Sequence, residues 1–353
     1  MNGGLPVIVI GGSGYVAGEM LRLVAQHPAL QLGAAVSTSQ MGEPIASVFE
    51  HLRPAYAEEC FVSLDATLER LGETPHWVVL SAAPHGASAE IVAQLLASAE
   101  AAGTQLTVVD ASADFRFSDA AAFAEVYGKA HPAVELLPKF TCAVPEQLAE
   151  IATPHAAHPG CFATAMLLAI VPLVKASLCG DAIYVSAVTG STGAGRTPRD
   201  TTHHPVRQSN LFAYQALKHR HAPEVRALTR AATGRDIGLH FVPHSGPFAR
   251  GIHATVFAPK APGVTAADVR EALAEYYRSS PFVQVGAAPP RMKDIAASNY
   301  AALSADMDDD TIVVCSVIDN LLKGAAGGSI QWVNRLLGLP ETQGLQQPAA
   351  GWL

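Results

Sequence analysis

The cysteine at position 161 stands in the run His158-Pro159-Gly160-Cys161-Phe162-Ala163-Thr164-Ala165, immediately before the apolar stretch Met166 to Val174. Turn residues followed by such a stretch read as the start of a helix. There the helix dipole and the unpaired N–H groups stabilise a thiolate, and a thiol becomes a nucleophile. A buried cysteine acting as a small hydrophobe fits the same local pattern. The other four, Cys60, Cys142, Cys179 and Cys315, lack that setting and read as structural. Five scattered cysteines with no C-x-x-C spacing argue against a disulfide framework and against a cysteine zinc site.

A second pattern lies near the start of the chain. Gly11-Gly12-Ser13-Gly14-Tyr15-Val16-Ala17-Gly18 follows a strand-like run, Pro6 to Ile10, and opens a helical stretch, Tyr15 to Gln26. Positions without a Cβ let backbone N–H groups approach a pyrophosphate at the positive end of a helix. The spacing is not a clean G-x-G-x-x-G, and tight packing alone also accounts for a glycine-rich turn. The next strand, Leu30 to Val36, ends in Ser37-Thr38-Ser39-Gln40, with no acid before Glu43. An NAD site usually places Asp or Glu there, whereas uncharged donors suit a 2′-phosphate, so the expected cofactor is NADP. No Arg or Lys stands in that loop, which leaves a solvated Ser/Thr turn as the alternative.

A thiolate beside a nicotinamide describes acyl or aldehyde redox through a thioester, and it requires an acid/base group. Histidine suits that role, but the chain has 14 of them. The spacing of His219 and His221 would let both ligate a metal if they lay on a strand; no third ligand is evident, and no metal is expected.

The elements that must position these residues divide the chain. Up to about residue 155, short β-rich runs alternate with Ala/Leu-rich helical ones, including Trp77 to Leu80, Ala87 to Ala102 and Leu106 to Val109. This is the βαβ pattern of a parallel sheet, a Rossmann-like dinucleotide-binding layout. Beyond it, longer strands appear at Ile183 to Val188, Ile237 to Val242, Ile252 to Phe257 and Ile312 to Ile318. They predict an α+β catalytic and dimerisation domain, residues 156–319, with a mixed or antiparallel sheet. A last helix, Ser329 to Leu337, is expected to complete the first domain as part of a segment from about 320 to 345, and the tail from Glu341 to be loosely ordered.

The chain's 353 residues, 49% apolar and 15% charged, are enough for two domains and exclude disorder for most of it. With 23 Lys and Arg against 31 Asp and Glu, and no basic cluster, nucleic acid is an unexpected partner. No apolar run reaches the length of a membrane span. The opening Met1-Asn2-Gly3-Gly4 lacks a basic leader, so a cytoplasmic protein is the expectation.

The chain resembles the N-acetyl-γ-glutamyl-phosphate reductase family of arginine biosynthesis, relatives of aspartate-semialdehyde dehydrogenase. The likeness runs through Gly12 to Tyr15, Pro84-His85-Gly86, Ser112-Ala113-Asp114-Phe115-Arg116 and His158-Pro159-Gly160-Cys161. It continues through Gly193-Ala194-Gly195-Arg196, His219-Arg220-His221-Ala222-Pro223-Glu224 and Asp319-Asn320-Leu321-Leu322-Lys323-Gly324-Ala325-Ala326-Gly327. The resemblance implies NADPH-dependent reduction of an acyl phosphate to an aldehyde, with Cys161 as nucleophile and His219 as acid/base, His221 being its rival. It implies Arg116 as the contact to the substrate phosphate, Arg196 and Arg220 for anionic groups, and Glu224 beside them. It places Ser81 and Asn320 near the cofactor, with Gly11 to Val16 and Ser37, Thr38 and Ser39. A homodimer or homotetramer is expected.

The chain departs from the family pattern at Ala17, where a third glycine is usual, at Gln40 and Glu43, where a basic residue is common, and at Phe162-Ala163, where Tyr-Pro is common. Three other readings stay open. They are the homologous reductase of aminoadipyl phosphate, one methylene longer, a member acting on a carrier-protein substrate, and a non-catalytic dinucleotide-binding regulator.

Overall fold

The run Leu5–Ile10 (β1) is apolar without alternation, and Val7 to Ile10 are essentially inaccessible, as a strand buried on both faces must be. The computed structural model describes residues 3–84 and 86–352; Met1, Asn2, His85 and Leu353, and with His85 the centre of the Pro84-His85-Gly86 motif, lie outside them. The helix Tyr15–Gln26 (α1) buries Ala17, Met20, Leu21 and Val24 on one face and stops at His27, ahead of Pro28. The strand Leu30–Val36 (β2) returns parallel to β1.

Two short helices, α2 (Ile45–Val48) and α3 (Leu64–Glu69), precede β3 (His76–Ser81). Then come α4 (Ser88–Ala102), β4 (Gln105–Asp110), α5 (Ala120–Tyr127), β5 (Phe140–Cys142) and β6 (His155–Ala157). Gly103, at φ 68°, closes α4 in the left-handed conformation that a helix stop favours. The six strands form one parallel sheet in the order β2-β1-β3-β4-β6-β5, whose direction of winding reverses at β1 and β3. Ligands of such sheets gather at the strand ends beside that reversal.

The chain divides into two units. The first comprises the chain up to Cys142, Glu150–His158 and Ala326–Leu345. Its last segment contains the closing helix Gly327–Leu336, which packs on β4 and α1. The tail is tied down further than its composition suggests: Gln331 bonds Glu341, Asn334 bonds the carbonyls of Glu341 and Gln343, and Leu345 is buried.

The second unit comprises Ala143–Ala149, Pro159–Ala325 and the chain from Gln346. It runs α6 (Cys161–Lys175), β7 (Ala182–Thr189), α7 (His204–Arg207), β8 (Phe212–Ala213), α8 (His221–Thr233), β9 (Gly238–Ser245) and β10 (Ile252–Pro259). It ends with α9 (Ala266–Tyr276), β11 (Val283–Gly286), β12 (Ala301–Met307) and β13 (Thr311–Ile318). The seven strands form a mixed sheet, β11-β12-β13-β10-β7-β9-β8, with parallel pairs only at β11/β12 and β7/β9. The core helix α6 packs on β10 and β13, α8 on β9 and α9 on β12. β8, β11 and β12 carry too little alternation to be read from the sequence.

Candidate active site

Cys161 is the first residue of α6, partly exposed, with Gly160 as an extended N-cap (φ −61°, ψ 153°). The helix has no side-chain cap and no acidic residue in its first turn, and the positive end of its dipole lies at the cysteine. From Phe162 to Val174 every residue of α6 is buried, which fixes the helix and the thiol it carries. Gly324 lies against the other side of Cys161: a methyl group added there would come within 2.8 Å of the cysteine Cβ.

His219 stands just before α8, buried among rings, with Phe162 at 5.6 Å, Tyr214 at 5.7 Å, Phe241 at 5.4 Å and His221 at 4.7 Å between centroids. Its Nδ1 accepts the backbone N–H of His221 at 3.3 Å, which assigns the proton of the neutral ring to Nε2. Burial, and then the neighbouring Arg220 charge, lower its pKa from 6.5 to about 4. The ring is therefore neutral near neutral pH. Tyr214, unremarked in the sequence, interacts electrostatically with Cys161, and its phenol is raised well above its ordinary value, by burial first and Cys161 second. Its signal in sequence was nil: a tyrosine in a loop, identifiable only through its neighbours.

Glu224, grouped above with the substrate residues, is fully buried in the first turn of α8 and accepts the N–H of Gly160 at 2.7 Å. It thus contacts the backbone that carries the nucleophile. Arg220 and Arg196 have exposed side chains, Arg220 at the start of α8 and Arg196 on the loop after β7. His219 and His221 flank a helix start and not a strand, and no cluster of three metal-binding side chains occurs among the described residues.

In the first unit, Gly11 (φ 85°) brings the backbone against Ala82, where a Cβ would collide with the carbonyl. A Cβ on Gly12 would meet the Phe61 ring at 2.7 Å, and one on Gly18 the Phe49 ring at 2.7 Å, so Gly18 serves close packing of α1. Gly14 is the N-cap of α1, again with no side-chain cap and no acid in the first turn, which leaves the leading N–H groups of Tyr15 and Val16 for an anion. The hydroxyls of Ser13 and Ser39 lie 3.4 Å apart, which joins the phosphate turn to the loop after β2; Thr38 and Ser39 are exposed and Ser37 is buried. These groups fit a dinucleotide with a 2′-phosphate.

Ser81 is buried, its hydroxyl bonded at 2.7 Å to Ser88, which in turn donates to Asp110 at 2.7 Å. Asp110 also accepts from the Ser112 hydroxyl and N–H; burial drives its pKa up against those bonds. Asp114 accepts the N–H groups of Gly86 and Ala89 at the start of α4. Arg116 is buried and donates to the carbonyls of His158 (3.2 Å) and Ala111 (2.8 Å). The Ser112 to Arg116 motif therefore also shapes loops at the strand ends. Asn320 belongs to the second unit, where its side chain accepts from Gly251 N–H at 2.7 Å and donates to Thr192 at 3.0 Å.

Residues 6–167 match the semialdehyde dehydrogenase NAD-binding domain, and residues 161–320 the semialdehyde dehydrogenase dimerisation domain. The parallel sheet with its glycine turn, and the mixed sheet with a cysteine opening its core helix, are the two halves of a nicotinamide-dependent oxidoreductase of the semialdehyde dehydrogenase class. An N-acetyl-γ-glutamyl-phosphate reductase from Azotobacter vinelandii is 37% identical over 352 residues, 98% of this chain and 99% of that one. One from Methanopyrus kandleri is 37% identical over 347 residues, 96% and 97% of the two chains. The chain belongs to the N-acetyl-γ-glutamyl-phosphate reductase family. In fold it is similar to aspartate semialdehyde dehydrogenase II of Vibrio cholerae complexed with ASA (TM-score 0.68, 16% identity, 95% of this chain and 98% of that one). It is also similar to the Candida albicans aspartate semialdehyde dehydrogenase with NADP (TM-score 0.64, 16% identity, 95% and 98%). No helix among the described residues is long and apolar enough to cross a membrane.

Proposed function

We infer that the chain reduces N-acetyl-γ-glutamyl phosphate to N-acetyl-glutamate semialdehyde with NADPH and releases phosphate. The observation that carries this is the cysteine at the first position of an uncapped helix, with a neutral histidine packed on the next residue of that helix, in a chain that shares 37% of its residues with named reductases along almost its whole length. The relatives' names favour neither the aminoadipyl substrate nor a non-catalytic role.

The Cys161 thiolate attacks the acyl carbon; the bond from that carbon to the phosphate oxygen breaks, phosphate leaves with the electron pair, and a thioester remains. The Gly11 to Val16 turn and Ser37, Thr38 and Ser39 would hold NADPH, which when bound would supply the hydride that brings the thioester to the oxidation level of the aldehyde. His219 donates its Nε2 proton to the oxygen that gains charge, and takes it back as the C–S bond breaks and thiolate is restored. The one proton consumed overall ends on the released phosphate. Arg196 and Arg220 hold the anionic groups of the substrate, by the bidentate geometry guanidinium offers phosphate and carboxylate. Arg116 keeps the strand-end loops in shape.

Phosphate-dependent reduction of NADP with N-acetyl-glutamate semialdehyde tests the reading. Wild type turns over, and Cys161→Ala loses at least about a thousandfold in kcat. Undiminished turnover in that variant overturns the covalent step.

Association follows from the second unit. Tyr184, Ser186, Thr255, Phe257 and Cys315 alternate with the positions buried under the helices and share the opposite sheet face, where Tyr184 is 50% and Phe257 39% exposed. A second copy docks on this face in a two-fold dimer. Thr255→Arg at its centre is expected to sediment as monomer; a dimer of unchanged strength rules the face out.

A further inference from the structure

The densest polar construction in the second unit lies directly after β13, at Asp319. This carboxylate is fully buried and gathers five donors. Its Oδ1 accepts the N–H groups of Leu321 (2.8 Å) and Leu322 (2.9 Å) and one guanidinium nitrogen of Arg250 (3.1 Å). Its Oδ2 accepts Arg250 Nε (3.0 Å) and the N–H of Ala297 (2.7 Å). The neighbouring Asn320 fastens Gly251 and Thr192, so consecutive side chains hold the approach to β10 and the loop after β7. A buried carboxylate satisfied by a two-pronged guanidinium and three backbone donors is a rigid anchor.

What it anchors is a π-helical turn, Leu322–Ala326, whose Gly324 N–H reaches back to the Asp319 carbonyl at 3.0 Å. The wide hydrogen-bond spacing of a π-turn is uncommon and occurs preferentially at functional sites. Here it sets the backbone of Gly324 directly behind the nucleophile. A Cβ at 324 would stand 2.8 Å from the Cys161 Cβ, 3.1 Å from its Cα and 3.3 Å from Ile318 Cδ1. A Cβ contact of 2.8 Å essentially does not occur, so the close approach requires glycine. Lys323, within the same turn, is itself fully buried and paired with Glu146, which fixes the turn from a second side.

We propose that Arg250 and Asp319 are positioning residues for the nucleophile: their ion pair holds the π-turn in register, and the Gly324 backbone in that turn sets where the Cα and Cβ of Cys161 stand. This rests on the reading of Cys161 as the attacking group. The effect is on the placement of the thiol and leaves the dinucleotide turn of the first unit untouched. A role confined to stability would lower the melting temperature alone, whereas positioning changes the chemistry of the folded protein.

The test uses Arg250→Met, Arg250→Lys and Gly324→Ala in the full chain, each assayed well below its melting temperature and checked by circular dichroism. The readouts are kcat, KM for NADPH, and the rate at which iodoacetamide alkylates Cys161, followed by mass spectrometry of its peptide. Arg250→Met is expected to lower kcat and the alkylation rate together by about 10- to 100-fold, the scale of an ångström's misplacement, with KM for NADPH within about twofold. Arg250→Lys recovers part of the loss, since an ammonium still pairs with Asp319 but with one prong. Gly324→Ala reproduces the loss with the ion pair intact, and it carries the test if Arg250→Met does not fold. Wild-type kcat and alkylation in folded Gly324→Ala or Arg250→Met overturn the proposal. Retained turnover in Cys161→Ala is a separate result and overturns the covalent reading beneath it.

Discussion

Two helix starts in this molecule, Gly14-Tyr15 in the first unit and Gly160-Cys161 in the second, are built alike and surrounded differently. Both N-cap glycines are extended (φ −82°, ψ 160° and φ −61°, ψ 153°), and neither helix has a side-chain cap or an acidic residue in its first turn. Each keeps the positive end of a helix for another use. At Gly14 the N–H is taken by the turn's own Gly11 carbonyl, and Tyr15 is the one titratable residue between Gly11 and Val16. At Gly160 the N–H is taken by the buried carboxylate of Glu224, and Tyr214, His219 and His221 crowd the same end. The first start suits charge that a ligand brings. The second holds groups that make and move charge. Shape should therefore govern the first, and titration the second.

The largest expected effect breaks the shape of the first start. Gly11→Ala forces a side chain into a left-handed backbone position and against the Ala82 carbonyl. Strain of that kind plus the collision should weaken NADPH binding by about a hundredfold. Fluorescence titration of the reduced nicotinamide measures it, and Cys161 alkylation should stay at the wild-type rate. A variant that binds NADPH normally would show that the turn is packing and not a phosphate cradle.

How far these starts were legible in the sequence differs in an instructive way. Both helices, their glycine caps and the thiol's place in the first turn follow from turn residues ahead of apolar periodicity, which is local information; α1 falls at Tyr15–Gln26 as read. The parallel sheet was legible for the same reason. What surrounds Cys161 was legible only through the resemblance, which named His219 and Glu224 but gave no role to Tyr214 or Gly324, because all four come to that helix start from distant segments. The arginine readings show the converse. Arg116, a ligand contact by resemblance, also donates to two carbonyls, and a burial that satisfies backbone acceptors leaves no trace in residue order. Asn320, a cofactor contact by resemblance, also fastens loops in the second unit.

A smaller effect sharpens the titration half of the contrast, through two histidines held equally far from their ordinary value. His219 and His155 are both lowered from 6.5 to about 4, each chiefly by burial, with Arg220 adding to the first and Lys139 to the second. In the unfolded chain each ring takes a proton near 6.5, and in the fold not until about 4, so between those values the unfolded state binds more protons. Their contribution to stability is whole above 6.5 and is lost as the pH falls toward 4 and through it. The loss is on the order of 1 to 3 kcal/mol for each ring, read as a fall in the urea midpoint. His155 lies on β6 of the first unit and accepts the Val108 N–H, whereas His219 packs on the residue after Cys161. His155→Gln should therefore flatten the acid limb of the stability curve and leave the pH dependence of kcat unchanged. His219→Gln should flatten the same limb and remove most of kcat as well, the outcome that its proposed part as proton donor requires. If the two variants affect kcat alike, the second helix start is not where protons move, and the contrast between the two starts fails with it.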